Sequence, residues 1–129
     1  MAGRPLLYSL VDSPTHPDLS ALYRRLGLRE QRFASMRKAM AALKRTPPDW
    51  VVGEFLYGYG NNYAGVNLSN LDVFLHALRR YAPEARVLVF YQPSERAYLE
   101  RLAELFPVHA RIAHPVREAA VARVLGATA

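Results

Sequence analysis

Two carboxylates, an imidazole and two hydroxyls stand where apolar runs of this sequence end. Asp12 and Ser13 follow Leu6 to Val11, Glu54 closes the run that opens at Trp50, Tyr91 ends Val87 to Tyr91, and His114 follows Ile112 and Ala113. Such groups support three chemistries. A carboxylate accepts a phosphoryl group, or holds a hard cation through its oxygens. A carboxylate beside an imidazole stabilises the protonated ring and raises its pKa. Asp12, Glu54 and His114 together would make a mixed metal site, but the ligand count is too low and no metal or other cofactor is assigned. The chain has no cysteine, which removes thiol catalysis, disulfide scaffolds and Cys-based zinc sites.

The elements that position these residues follow from periodicity. Leu6 to Val11 predicts a buried strand, and Asp12-Ser13-Pro14-Thr15 a turn. Thr15 and Asp18 have the spacing of a helix cap, ahead of a stripe of Leu19, Leu22, Tyr23 and Leu26 that Gly27 ends. Leu28 to Phe33 is short and polar, so it fits only an edge strand. Ser35 caps a helix with Met36, Ala39, Met40 and Leu43 inward, which Pro47-Pro48 stops; methionines at this period belong to a core. Trp50 to Tyr57 is apolar on both faces, as a central strand must be. Ser69 and Asp72 cap a helix with Leu71, Phe74, Leu75 and Leu78 inward, and Val87 to Tyr91 is a second apolar strand. Pro93-Ser94-Glu95 opens a helix, Val108 to Ala113 alternates as a half-exposed strand, and Pro115 opens a last helix with Val116, Ala120, Val124 and Leu125 on one side.

Strands and helices alternate five times, which predicts an α/β fold: one parallel sheet with helices on both faces. The two polar strands belong at the edges, giving the order 2-1-3-4-5 of a flavodoxin-like doubly wound sheet. The working site of such a sheet lies at the carboxyl ends of its strands, where the acids, the hydroxyls and His114 fall.

The 129 residues suit one domain, 1–129. Lys and Arg outnumber Asp and Glu by 17 to 11. They are spread as Arg24-Arg25, Arg29, Arg32, Arg37-Lys38, Lys44-Arg45, Arg79-Arg80, Arg117 and Arg123, with no run of five, which reads as the solvated side of helices. Nucleic acid is therefore not expected as a partner. No apolar run approaches the ~18 residues of a membrane span, and the N-terminal apolar stretch is too short for a secretion signal, so a cytoplasmic location is expected.

Over essentially its whole length the chain resembles the receiver domain of bacterial two-component response regulators, the CheY-like domain. Val11-Asp12 matches the end of the first strand, where the family carries an acidic pair. Pro48-Asp49-Trp50-Val51-Val52-Gly53-Glu54-Phe55 looks like the run to the phosphorylated aspartate, Val87-Leu88-Val89-Phe90-Tyr91 like the run to the switch Thr or Ser, and Ile112-Ala113-His114-Pro115-Val116 like the apolar-x-Lys-Pro-apolar run. The departures sit at the reactive positions. Glu54 stands at the acceptor, Ser13 replaces one acid of the pair, Tyr91 the small hydroxyl, and His114 the lysine. The resemblance implies a degenerate, or pseudo-, receiver in a two-component phosphorelay setting: a non-enzymatic signalling module that acts by protein contact.

Glu54 then imitates a permanently charged phosphoaspartate with His114 as its partner; the plainer reading is a tolerated polar cluster at strand ends. In receivers the fourth helix, fifth strand and fifth helix make the usual contact face, which here offers Arg96, Tyr98, Arg101, His109, Arg111 and Arg117 to a partner or a second copy. Tyr57, Tyr59 and Tyr63 supply either an aromatic contact patch or loop side chains that pack over the pocket. Three further functions stand against the contact module. They are an active phosphoacceptor that uses Glu54, a flavin- or nucleotide-binding protein, and a nucleic-acid binder. The flavin and nucleotide reading lacks a Gly-rich phosphate loop after the first strand.

Overall fold

The computed structural model describes residues 4–11, 15–57 and 69–126. Its elements are β1 (Leu6–Leu10), α1 (Ser20–Arg25), β2 (Arg29–Phe33), α2 (Met36–Leu43), β3 (Trp50–Glu54), α3 (Asp72–Tyr81), β4 (Arg86–Tyr91), α4 (Arg96–Leu105), β5 (Ala110–Ala113) and α5 (Glu118–Gly126). All four strand pairings are parallel, and the order is β2-β1-β3-β4-β5, as the alternation predicts.

Side chains of the inner strands alternate between two cores, as the two-residue period of a strand requires. Tyr8 and Leu10, Val51, and Val87, Val89 and Tyr91 meet the buried faces of α2, α3 and α4. Leu7, Trp50 and Val52, and Leu88 and Phe90 meet Leu22 and Tyr23 of α1 and Val121 and Leu125 of α5. This parity decides the site. Glu54 lies two residues beyond Val52, on the α1–α5 side with Phe90, while Tyr91 packs into the opposite core.

The helix ends follow local chemistry. Gly27, at φ 78°, closes α1: its N–H reaches the carbonyl of Arg24, and the Leu28 N–H that of Tyr23. That is the paired bonding of a glycine-terminated helix, and only glycine takes this φ without strain. Ser35 Oγ accepts the Lys38 N–H at the start of α2. The Asp72 carboxylate accepts both the N–H and the hydroxyl of Ser69 ahead of α3.

Several expectations need correcting. The N-cap residue of α1 is Leu19, with no side-chain cap, so Thr15 is not the cap; its hydroxyl is donated to Glu54, and the Ser20 N–H meets Asp18 Oδ1. The third strand ends at Glu54 rather than running to Tyr57, which makes an isolated antiparallel bridge to Ser69. The fifth strand opens at Ala110 rather than Val108, and Pro93–Glu95 form a 3-10 turn before α4. The last helix starts at Glu118, and Val121 and Leu125 are its buried residues; Val116 packs from the connection before it. Among the described residues, no helix is long and apolar enough to cross a membrane.

Candidate functional site

Glu54 ends a strand whose five residues are all buried, and it is itself 1 % exposed. A carboxylate in that position must be met by donors, because an uncompensated buried charge is costly. Its Oε2 takes two: the Thr15 hydroxyl and the His114 ring, whose Nε2 lies 2.8 Å away. The contact is attractive with a proton on Nε2. Oε1 is buried with no hydrogen-bond partner among the described residues. The backbone of Glu54 is also fixed, its carbonyl accepting from Asn70 Nδ2 at 2.9 Å while Asn70 Oδ1 accepts the Leu56 N–H at 2.8 Å.

His114 arrives from the end of β5. Its N–H bonds the Tyr91 carbonyl at 2.8 Å, and the His114–Pro115 peptide is cis. Its ring stands edge-on to Phe90, with centroids 6.4 Å apart. On Phe90 a second imidazole packs at 5.6 Å: His16, 9 % exposed, with Nδ1 buried and unpartnered among the described residues. Burial pushes the His16 ring below its ordinary pKa, and Arg32 and His114 add to this, while Glu54 and Glu30 pull the other way. Beside this group, both oxygens of Glu30 are occupied, by the hydroxyls of Ser9 and Ser20. The carboxyl ends of β1, β3, β4 and β5 thus surround a carboxylate, two imidazoles and an aromatic floor.

Of the residues expected at this pocket, Glu54 and His114 are brought into contact. Tyr91 contributes its backbone carbonyl, while its side chain belongs to the core under α2–α4. Asp12 and Ser13 lie outside the described residues. Thr15, His16, Phe90 and Asn70 are additions. The strand parity that puts Glu54 with Val52 also puts Phe90 with Leu88, so Phe90 was legible; nothing in the spacing of Thr15 and His16 joins them to Glu54.

The expected contact residues divide in space. Tyr57 stacks on Tyr98. Arg96 and Arg111 both reach Glu100, at 3.8 and 3.1 Å, so their charges are partly spent within the domain. Arg101 and Arg117 are exposed. His109 instead sits where β4 begins, its Nδ1 accepting the Val87 N–H at 3.0 Å, and burial with Arg86 nearby lowers its pKa. Tyr59 and Tyr63 fall outside the described residues.

A receiver-type pocket would hold a hard divalent cation through several oxygens. Among the described residues, no group of three acids or imidazoles is placed to hold a metal, and one Glu54 oxygen is already occupied by Thr15 and His114. The described residues do not fit that ion.

No model of a known protein family matches the sequence, and no curated protein does. Solved structures do. The chemotaxis response regulator CheY4 of Vibrio cholerae superposes with a TM-score of 0.72 at 12% identity, covering 98% of this chain and 99% of that one. The receiver domain of a sensor histidine kinase from Pseudomonas aeruginosa PAO1 gives 0.67 at 17% identity, over 96% and 95%. A structure described as an adenylate cyclase from Rhodopirellula baltica gives 0.71 at 14% identity, over 98% and 87%. In strand order, helix placement and extent, the chain has the fold of response-regulator receiver domains.

Proposed function

We propose that this chain is a non-enzymatic signalling module of the receiver type. It acts through protein contact, with a Glu54–His114 pair standing where a receiver would carry its acceptor aspartate and lysine. The observation that supports this reading is the occupancy of Glu54: it is 1 % exposed, and the oxygen facing Thr15 and His114 is already engaged by both. A phosphoryl acceptor needs an oxygen open to in-line attack and a cation to offset the developing charge, whereas the second Glu54 oxygen, without a partner among the described residues, is buried. Glu54 puts a carboxylate at that position, one methylene further from the backbone than aspartate would. The same pair sits at the carboxyl ends of the strands, where open parallel sheets carry their sites.

The contact would run through the face of α4, β5 and α5, to a protein partner or a second copy. Tyr98 with Tyr57 supplies aromatic area there, and Arg101 and Arg117 supply charge.

Incubation with magnesium and a small acyl phosphate, followed by intact mass and amide chemical shifts, tests the reading. The expected result is an unchanged mass and an unshifted spectrum. A gain of one phosphoryl group, removed by Glu54→Gln, would replace the contact module with an active Glu54 phosphoacceptor.

A further inference from the structure

We propose that the β2 end of the sheet is a contact surface for the phosphate backbone of a nucleic acid. The cations fall as single residues and pairs, but nearly half of them share one stretch of the chain. Residues 20–45, which form α1, β2 and α2, contain eight Lys and Arg and a single acid, Glu30; the rest of the chain has nine Lys and Arg against ten Asp and Glu. The positive charge of the molecule is therefore that of one edge strand and the two helices packed beside it.

These cations are available. All eight are exposed. Arg25 pairs with Glu118, and Arg32 lies 3.6 Å from Asp18. Arg24, Arg29, Arg37, Lys38, Lys44 and Arg45 have no acidic partner among the described residues. Glu30 is the single acid among them, its two oxygens accepting the hydroxyls of Ser9 and Ser20. Arg29 holds the Arg4 carbonyl at 3.1 Å, which brings Arg4 to this end, and Arg4 and Arg24 line one open cavity of about 330 Å³.

The make-up of the surface selects the partner. The large apolar side chains exposed among the described residues are Tyr57, Val73 and Leu105, and none belongs to α1, β2 or α2. A specific protein interface needs a buried aromatic or apolar anchor at its centre, and an interfacial helix needs an apolar face to insert. Cations without an anchor are what backbone phosphates require, and arginine, the majority here, matches a phosphate with two parallel N–H donors. The surface lies at the opposite sheet edge from β5, so both faces can be occupied together. It does not depend on the receiver-type reading.

Fluorescence anisotropy with a labelled DNA duplex and with its single strand tests the proposal. The expected result is binding that weakens steeply between about 50 and 200 mM salt. The triple variant Arg24→Gln, Arg37→Gln, Lys38→Gln should lose about tenfold or more in affinity, and the slope of log K against log salt should fall by about 2–3. Arg80→Gln, Arg86→Gln, Arg123→Gln, with the same net charge, should keep most of both. If the patch triple does not fold by circular dichroism, Arg37→Gln alone should lower the slope by about 1. Three results overturn the surface: no binding at low salt, equal losses in the two triples, or tighter capture of a polyglutamate peptide or of anionic vesicles than of either oligonucleotide.

Discussion

Tyr57 lies flat on Tyr98, with ring centroids 3.7 Å apart and planes 17° from parallel. The contact joins the segment leaving Glu54 to the first turn of α4. The Tyr57 N–H points to Glu95 Oε1 at 3.4 Å, and Asn70 clamps both Leu56 and the Glu54 carbonyl from the start of α3. The pocket and the α4 surface are thus connected by packed and hydrogen-bonded groups. Connection alone is not coupling, which has to be measured. Tyr98→Ala should cost about 1 kcal/mol, the scale of an aromatic pair. In a double-mutant cycle with His114→Gln, the two changes should be non-additive by about 0.5 kcal/mol or more. Additive effects would make the stack a local surface feature.

The Glu54–His114 contact is the most heavily buried carboxylate–base contact described, with side-chain exposures of 1% and 13%. Removing one partner leaves a buried carboxylate with Thr15 as its remaining donor there. His114→Ala should therefore cost about 3–5 kcal/mol in urea unfolding. Replacing both with apolar residues of similar volume, Glu54→Met with His114→Leu, should recover most of the loss, since an apolar pair carries no desolvation cost. A neutral His114→Ala would mean that the imidazole does not compensate Glu54 at all.

Strand order was readable because polarity alone separates the edges from the centre: Arg29–Phe33 exposes most of its length, whereas Trp50–Glu54 exposes none. Glu54 and His114 were readable as residues at strand ends. Tyr91 was placed by its position along the chain when its parity was what mattered. Thr15 fits the spacing of a cap, where its oxygen would accept a backbone N–H; that its proton goes to Glu54 depends on the distance across to β3, which the spacing does not give. The eight cations of residues 20–45 fall on α1 and β2 and on or just after α2, at the edge where the sheet order puts β2.

Two imidazoles give the fold an acid-sensitive stability. Burial lowers the pKa of His16 and of His109 in the folded chain. Unfolded, each takes a proton near ~6.5, so just below that value the unfolded state binds more protons than the folded one. Their contribution is present in full above the unfolded pKa and is lost as pH falls through it. Thermal unfolding should show a falling Tm from neutral pH toward pH ~5. His16→Phe, which keeps a ring against Phe90 and removes the titration, should flatten that dependence. An unchanged slope in His16→Phe would assign the sensitivity to other groups.

Asp72 places the start of α3 and, through it, the clamp on Glu54. Its carboxylate takes the N–H and the hydroxyl of Ser69, at 2.6 and 2.8 Å, while Ser69 Oγ accepts the Leu71 N–H at 3.1 Å. The group is buried, so losing the acceptor strands two donors instead of returning them to water. Asp72→Ala should cost about 1–3 kcal/mol, the range for leaving buried donors without their acceptor. Asp72→Asn should cost less, because one acceptor oxygen survives. Hydrogen exchange should quicken at Leu71 and Leu75 and, because Asn70 sits between this cap and β3, at Leu56. Faster exchange confined to α3 would show that Asn70 holds the Glu54 strand without help from the cap.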